Sequence, residues 1–281
     1  MKLGVHVSIA GSIDLSIDRA KSLGLDTFQI FTRNPRGWKF TDLKSNDVDN
    51  FQNKILTEKI QSVVCHMPYL PNLSSPKDYV HKLSIEALTS ELNRCNQLGI
   101  KYVVTHIGSH LGSGVEEGLK RVIDACNQSL ANSKGDSMII LENTAGTKNS
   151  VGSKFEELKH IFDNVDDNTR LGFCFDTCHA FAAGYDLSTK NAVHNTISEL
   201  DHILGLNNLK VVHLNDSKGG LGERLDRHHH IGQGYIGEKG FREILKNQSI
   251  TNLPMILETP IDENTGDLDN IKKIQILHSH S

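Results

Sequence analysis

The chain has 281 residues, 37% of them hydrophobic and 23% charged, ample for a large buried core. α/β barrels of about this size routinely form one domain, and no apolar run approaches the ~20 residues of a membrane helix. The net charge of -4 argues weakly against a nucleic-acid partner, although three divalent cations held at one place would turn the formal balance positive there. From the N-terminus, Met1-Lys2-Leu3-Gly4-Val5-His6 leads straight into a β-rich run, Leu3–Val7, so no signal peptide is expected. Ile13–Leu23 follows as a helix: Ile13, Ile17 and Ala20 share a face and Gly24 is placed to cap it. Thr27–Phe31 and Ser62–His66 are the next strand-length runs, and Asp78–Leu98 is a long helix stopped by Gly99. Strand and helix then alternate: Tyr102–His106, Val115–Ala131, Met138–Glu142, Lys154–Phe162, Gly172–Asp176, Lys190–Leu204, Lys210–Leu214, Glu238–Lys246, Pro254–Glu258 and Leu268–Leu277. The nearly continuous apolarity of the short runs fits strands buried on both faces and paired in parallel. No linker, low-complexity tract or break in composition divides the chain, so residues 1–281 are expected to form a single domain. Eight such units allow a closed (β/α)8 TIM barrel or a doubly wound open sheet.

Seven of the eight short runs carry a His, Asp or Glu at or near the C-terminal end: His6, His66, His106, Glu142, Asp176, His213 and Glu258. In a barrel these ends converge on one mouth, whereas an open sheet keeps its edge strands apart. The barrel is therefore expected, with a metal cluster at its C-terminal mouth. Singly, each residue has a plainer role, such as a hydrogen-bonded structural histidine or a helix-capping carboxylate. Together they supply only nitrogen and oxygen ligands, the set that zinc, manganese or iron accepts. Burying several carboxylates side by side would be costly without cations. Two more segments add donors. Asp176-Thr177-Cys178-His179 places a carboxylate and an imidazole three apart on a turn. Asp226 and His228, two apart in an extended stretch, point the same way. Of His228, His229 and His230, two are expected to stay outside the ligand set. About nine donors are enough for two or three ions, an arrangement typical of phosphoester chemistry. His6 and His110 are candidates for orienting ligands. The five cysteines, Cys65, Cys95, Cys126, Cys174 and Cys178, are read as reduced and mostly core, which fits a cytoplasmic protein.

Several stretches resemble the endonuclease IV family of apurinic/apyrimidinic endonucleases. They are Phe31-Thr32-Arg33-Asn34-Pro35-Arg36-Gly37-Trp38, His106-Ile107-Gly108-Ser109-His110, Leu141-Glu142-Asn143-Thr144-Ala145-Gly146, the run from Asp176 to Asp186, His213-Leu214-Asn215-Asp216-Ser217-Lys218, and Asp226-Arg227-His228 with Ile231-Gly232-Gln233-Gly234 after it. The resemblance covers nearly the whole chain. It implies a (β/α)8 barrel with three zinc ions at its mouth, manganese or iron being possible substitutes. His66, His106 and Glu142 would hold the first ion. Glu142 would bridge to a second, completed by Asp176, His213 and Glu258, and His179, Asp226 and His228 would hold the third. It further implies a DNA-repair enzyme acting on double-stranded DNA, and a monomer is the default for a protein that must grip a long duplex. Such an enzyme hydrolyses the phosphodiester 5′ to a base-free site and leaves a 3′-hydroxyl and a 5′-deoxyribose phosphate. Glu142 and Glu258 would be its catalytic carboxylates. Arg36 and Tyr69, on the loops after the second and third strands, would enter the damaged site, while Lys218, Arg224 and Arg227 are placed to meet phosphates. Trp38 is expected to pack behind the Arg36 loop. Cys178 is disfavoured as a nucleophile because a metal would occupy the neighbouring His179. The main alternative is a metal-dependent sugar isomerase or epimerase on the same barrel, which has no need of the third ligand set. A non-catalytic metal- or DNA-binding module is the other.

Overall fold

Alternating β-rich and amphipathic segments fold into eight strand–helix units in a computed structural model that describes residues 1–39 and 41–279. The strands are β1 (Lys2–Val5), β2 (Thr27–Ile30), β3 (Ser62–His66), β4 (Tyr102–His106), β5 (Met138–Glu142), β6 (Leu171–Asp176), β7 (Leu209–His213), the short β8 (Asp216–Ser217) and β9 (His228–His229), and β10 (Pro254–Leu257). All but β8 and β9 pair in parallel in the order β1-β10-β7-β6-β5-β4-β3-β2. The two ends of this sheet meet: His6 bridges Gln29 in parallel, and the Val7 N–H donates to the Gln29 carbonyl at 2.8 Å. A Cβ on Gly4 would lie 2.2 Å from the Thr27 carbonyl oxygen, so only glycine lets β1 approach β2 this closely. The expected (β/α)8 barrel is thus the fold observed. β8 and β9 form a separate antiparallel ribbon over the mouth.

The helices are α1 (Leu15–Ser22), α2 (Ser45–Thr57), α3 (Asp78–Leu98), α4 (Val115–Asn132), α5 (Phe155–Asn164), α6 (Thr177–Ala183), α7 (Lys190–Leu204), α8 (Gly237–Leu245), α9 (Gln248–Thr251) and α10 (Asp267–Ser279). Gly24 and Gly99 adopt the left-handed conformation that ends α1 and α3, as their positions in the sequence imply. Three helices were not legible beforehand, the four-residue α9 being too short to show a period. In α2 the apolar face is reduced to Val48, Phe51 and Ile55, and only Phe51 is fully buried, so its period is faint. The segment from Asp176 to His179, expected as a turn, opens α6 instead. Asp176 caps that helix by accepting the His179 N–H at 2.7 Å. Residues 177–182 are all buried, so no amphipathic period marks the helix.

The main core lies between strands and helices and is anchored by Phe28, Phe51, Phe155, Phe173, Phe175 and Phe241. A second, smaller cluster fills the barrel: Val64, Val104, Ile140, Cys174, Val211 and Ile256, with Met138 below. Each of the first six lies two residues before His66, His106, Glu142, Asp176, His213 or Glu258. Because side chains alternate along a strand, the polar six share the inward face and rest on an apolar floor. All five cysteines are buried and free. Among the described residues no helix is long and apolar enough to cross a membrane.

Candidate metal centre

Above that floor, three groups of donors form, in each of which the ligand atoms lie within 4.8 Å of one another. They are His66, His106 and Glu142; Glu142, Asp176, His213 and Glu258; and His179, Asp226 and His228. Glu142 sits at the junction. Its Oε2 is 3.4 Å from His66 Nε2 and 3.6 Å from His106 Nε2, and its Oε1 is 2.9 Å from His213 Nδ1. His213 Nδ1 also faces Glu258 Oε2 at 3.2 Å and Asp176 Oδ2 at 3.9 Å. His228 Nε2 lies 3.7 Å from Asp176 Oδ2, and His179 Nε2 lies 3.1 Å from Asp226 Oδ1. The structure therefore brings all nine residues anticipated from sequence to one mouth. It adds two sulfurs to the neighbourhood, since Cys174 groups with Glu142 and His213, and Cys178 with Asp176 and His228.

The hydrogen bonds behind the rings decide which nitrogen each histidine presents. A carbonyl oxygen only accepts, so the ring nitrogen that faces it is the N–H. His66 Nδ1 donates to the Met67 carbonyl at 2.6 Å, His179 Nδ1 to the Asn143 carbonyl at 3.0 Å and His228 Nδ1 to the Glu258 carbonyl at 2.9 Å. His213 uses its other nitrogen, Nε2, which donates to the Gln29 side-chain carbonyl at 2.9 Å. The remaining nitrogen of each ring is directed inward at carboxylate oxygens, where it donates when protonated and can ligate when bare, or, for His228 Nε2, is buried with no hydrogen-bond partner among the described residues. A bare lone pair facing a carboxylate repels it, and either a proton or a cation between them reverses the sign; burial opposes protonation of His179 and His213, yet the groups around them raise both well above the ordinary range. Five imidazoles and four carboxylates fit zinc or a similar divalent ion, and the orphaned His228 Nε2 fits a ligand atom.

Charge reinforces this arrangement. Burial opposes ionisation of Glu142, but His106 and His213 hold its carboxyl well below the usual range. Burial likewise opposes Glu258, yet His213 and His66 bring it down to about 2. The hydrogen bond from His179 is the main reason Asp226 is held down, also to about 2. His6 is pulled to about 4 chiefly by burial and stands behind the cluster, accepting at Nδ1 from the Gln29 amide at 3.2 Å.

Several residues that hold the cluster had no role assigned from sequence. Asn143 brackets Asp176: its Oδ1 accepts the Asp176 N–H at 2.7 Å and its Nδ2 donates to the Asp176 carbonyl at 3.0 Å. Asn215 donates to Asp176 Oδ2 at 2.7 Å and accepts the Glu258 N–H at 2.8 Å. Asp216, fully buried, accepts main-chain N–H groups from Ser217, Gly232, Gly234, Ile236 and Gly237, which ties down the loop that follows Asp226 and His228. A Cβ on Gly234 would fall 2.3 Å from the Ser217 carbonyl and 2.5 Å from Asp216 Oδ1, so the Gly-Gln-Gly step is what brings those N–H groups to the carboxylate. The signal was adjacency: Asn143 follows Glu142, and Asn215-Asp216 follows His213 by two.

The mouth opens into a cleft of about 540 Å³ bordered by Tyr69, His106, Asp226, His228 and Glu258. Tyr69 is 64% exposed, and its ring packs on Phe31, His66 and His106. Arg36 is exposed on a loop braced from below. There Arg33 donates through Nε to the buried Glu91 at 2.6 Å and through Nη1 to the Gly37 carbonyl at 2.8 Å. Trp38 is half-buried and packs on the core, as expected. Lys218, Arg224 and Arg227 are exposed. His110 does not reach a ligand-bearing residue; its Nδ1 accepts the N–H groups of Gly112 and Gly114 and shapes the loop into α4. Cys178 is buried, its thiol donates to the Arg227 carbonyl at 3.5 Å, and burial pushes it up to about 12.

Fold and mouth together define a TIM-barrel protein of the kind that gathers His, Asp and Glu at its strand ends. A family model described as "Xylose isomerase-like TIM barrel" matches residues 17–277. "Probable endonuclease 4" of Methanoculleus marisnigri is 52% identical over 276 residues, 98% of each chain. The crystal structure of endonuclease IV from Thermus thermophilus superposes with a TM-score of 0.86 at 35% identity, covering 99% of this chain and 98% of that one. A "D-tagatose 3-epimerase-like protein" superposes with a TM-score of 0.71 over 100% of this chain and 97% of its own, but at 21% identity it shares the fold alone. The chain belongs to the endonuclease IV family of apurinic/apyrimidinic endonucleases. Membership makes it an enzyme, a hydrolase of the endonuclease class.

Proposed function

We propose that this chain repairs DNA by hydrolysing the phosphodiester 5′ to a base-free site in a duplex, leaving a 3′-hydroxyl and a 5′-deoxyribose phosphate, with three zinc ions held at the barrel mouth. One observation carries the reading. Four imidazoles each commit one ring nitrogen to a carbonyl and turn the other toward four carboxylates. His66, His106 and Glu142 would hold one ion, Glu142, Asp176, His213 and Glu258 a second, and His179, Asp226 and His228 a third. Zinc bound there supplies Lewis acidity toward the phosphate and brings bound water to a pKa near 7.

The residues of the chain do the rest. Four carboxylates against six positive charges would leave the mouth electropositive, which suits a phosphate despite the net charge of -4. Glu258 would ligate and orient the attacking water, its Oε2 lying 3.2 Å from His213 Nδ1 at the mouth. Tyr69 and Arg36 stand at the rim and would fill the space left by the missing base. A base-free nucleotide has lost its stacking and rotates out at lower cost. Lys218, Arg224 and Arg227 would meet phosphates.

The test is a synthetic duplex with one tetrahydrofuran abasic analogue, incubated with and without chelator. That analogue resists β-elimination, so a chelator-sensitive nick on its 5′ side means hydrolysis. An intact strand at stoichiometric, zinc-replete enzyme would overturn the proposal, and ketose–aldose conversion instead would favour the isomerase alternative. Glu258→Gln is expected to keep the fold and lower turnover strongly; near-normal rates would remove Glu258 from the mechanism.

A further inference from the structure

We propose that Gln29 is a positioning residue of the centre: from inside the barrel its single amide fixes the ring tautomer of His213 and the orientation of the Glu258 carboxylate, so that both turn their free atoms to the cations. The inference rests on the reading of the mouth as a metal centre and adds to it a residue that ligates nothing. Gln29 lies in β2, fully buried, on a strand whose sequence, Thr27-Phe28-Gln29-Ile30, is otherwise that of a packed core. An amide at such a position is costly unless its hydrogen bonds are made. All of its side-chain partners belong to the mouth. Nε2 donates to Glu258 Oε1 at 2.7 Å and to His6 Nδ1 at 3.2 Å, and Oε1 accepts from His213 Nε2 at 2.9 Å.

The orientation of the amide follows from chemistry. An ionised carboxylate only accepts, so the NH2 end must face Glu258 and the oxygen must face His213. The oxygen in turn requires that His213 Nε2 carry the proton. Nδ1 is then the nitrogen of His213 left for a cation, 2.9 Å from Glu142 Oε1 and 3.2 Å from Glu258 Oε2. One side chain thereby sets the protonation of one ligand and pins one oxygen of another, leaving Oε2 of Glu258 for the centre. The backbone of Gln29 closes the barrel through its carbonyl and the Val7 N–H, a bond that side-chain substitution leaves in place. The role in the centre is thus separable from the role in the fold. Groups that orient ligands through a hydrogen bond typically change metal affinity or activity about 10–100-fold when removed.

Gln29→Met keeps length and burial and removes all three side-chain hydrogen bonds. Three readouts are taken on the full chain: zinc affinity by competition with a chromophoric chelator, nitrogen NMR of the histidine rings in the zinc-loaded protein, and kcat and KM on the abasic duplex. We expect the weakest zinc affinity to fall about 10–100-fold, the protected His213 Nε2–H signal to be lost, and kcat to fall about 10–100-fold with KM within about twofold. Gln29→Glu keeps an acceptor for His213 but sets two carboxylates against each other at Glu258. It should retain the His213 signal, lose turnover, and recover part of it relative to the parent as pH is lowered and a proton bridges the pair. A Gln29→Met protein with parental zinc affinity, His213 signal and kcat overturns the proposal. So does a Gln29→Glu protein with a parental pH profile, which decides the matter even if the methionine variant does not fold. A parent chain that binds no zinc and leaves the abasic duplex intact overturns the proposed function instead.

Discussion

Replacing Asp216 by asparagine should loosen the loop that holds the third ligand set. The change keeps the outline of the side chain and turns one oxygen into an NH2 group. Oδ1 accepts N–H groups from Ser217 at 2.8 Å, Ile236 at 3.1 Å and Gly237 at 3.4 Å, and Oδ2 accepts from Gly232 at 2.9 Å and Gly234 at 3.0 Å. The better amide orientation keeps the oxygen on the first three donors and sets NH2 against the other two. Two hydrogen bonds to a charged acceptor are then lost at ~1.5–3 kcal/mol each, about 3–6 kcal/mol together. Whole-chain stability is typically ~5–15 kcal/mol, so the loss is large, but it falls on one segment and should appear first as local opening. Hydrogen exchange at Gly232, Gly234 and Ile236 should accelerate strongly, and zinc titration should show the site of His179, Asp226 and His228 weakening before the others. Exchange rates and urea-unfolding free energy unchanged to within about 0.5 kcal/mol would refute the claim that Asp216 anchors this loop.

Glu91→Ala should destabilise the chain by about 3–5 kcal/mol in urea unfolding, because it strips the carboxylate from the buried Arg33; a cost under about 1 kcal/mol would show that the pair does not brace the Arg36 loop. Chelation should lower the unfolding temperature and added zinc restore it, since cations offset the repulsion among Glu142, Asp176 and Glu258. For one site with ligand at 100 times Kd the stabilisation is about 2.7 kcal/mol, and a melting curve indifferent to chelator would count against a metal centre. Cys178→Ala should retain nicking within about threefold, because burial holds the thiol protonated, at about 12. Loss of the chemical step with zinc content intact would revive a thiol mechanism.

Much of the fold can be read directly from residue order. Eight apolar runs with polar ends imply strands that meet at those ends, and only closure brings His66 on β3 and Glu258 beyond β10 to a common place. The alternation is equally local: Val64 and His66, or Ile140 and Glu142, are two apart and so share the inward face. The elements that escaped had little period to read. α2 shows the core barely more than Phe51, and α6 is buried all round.

Residue types and their spacing along the chain determined which side chains could be ligands, because a strand end is a local property. Tertiary structure decided how most of the ligands are held, His66 against the next carbonyl being a local exception. Gln29 and His213 are 184 residues apart, and Asp216 meets Gly232 and Gly234 only across the ribbon and its loop. Such contacts depend on the stagger between non-adjacent strands and on the path of a loop, which closing the barrel sets and no local pattern encodes. Which nitrogen His179, His213 and His228 turn to the mouth follows from contacts of this kind.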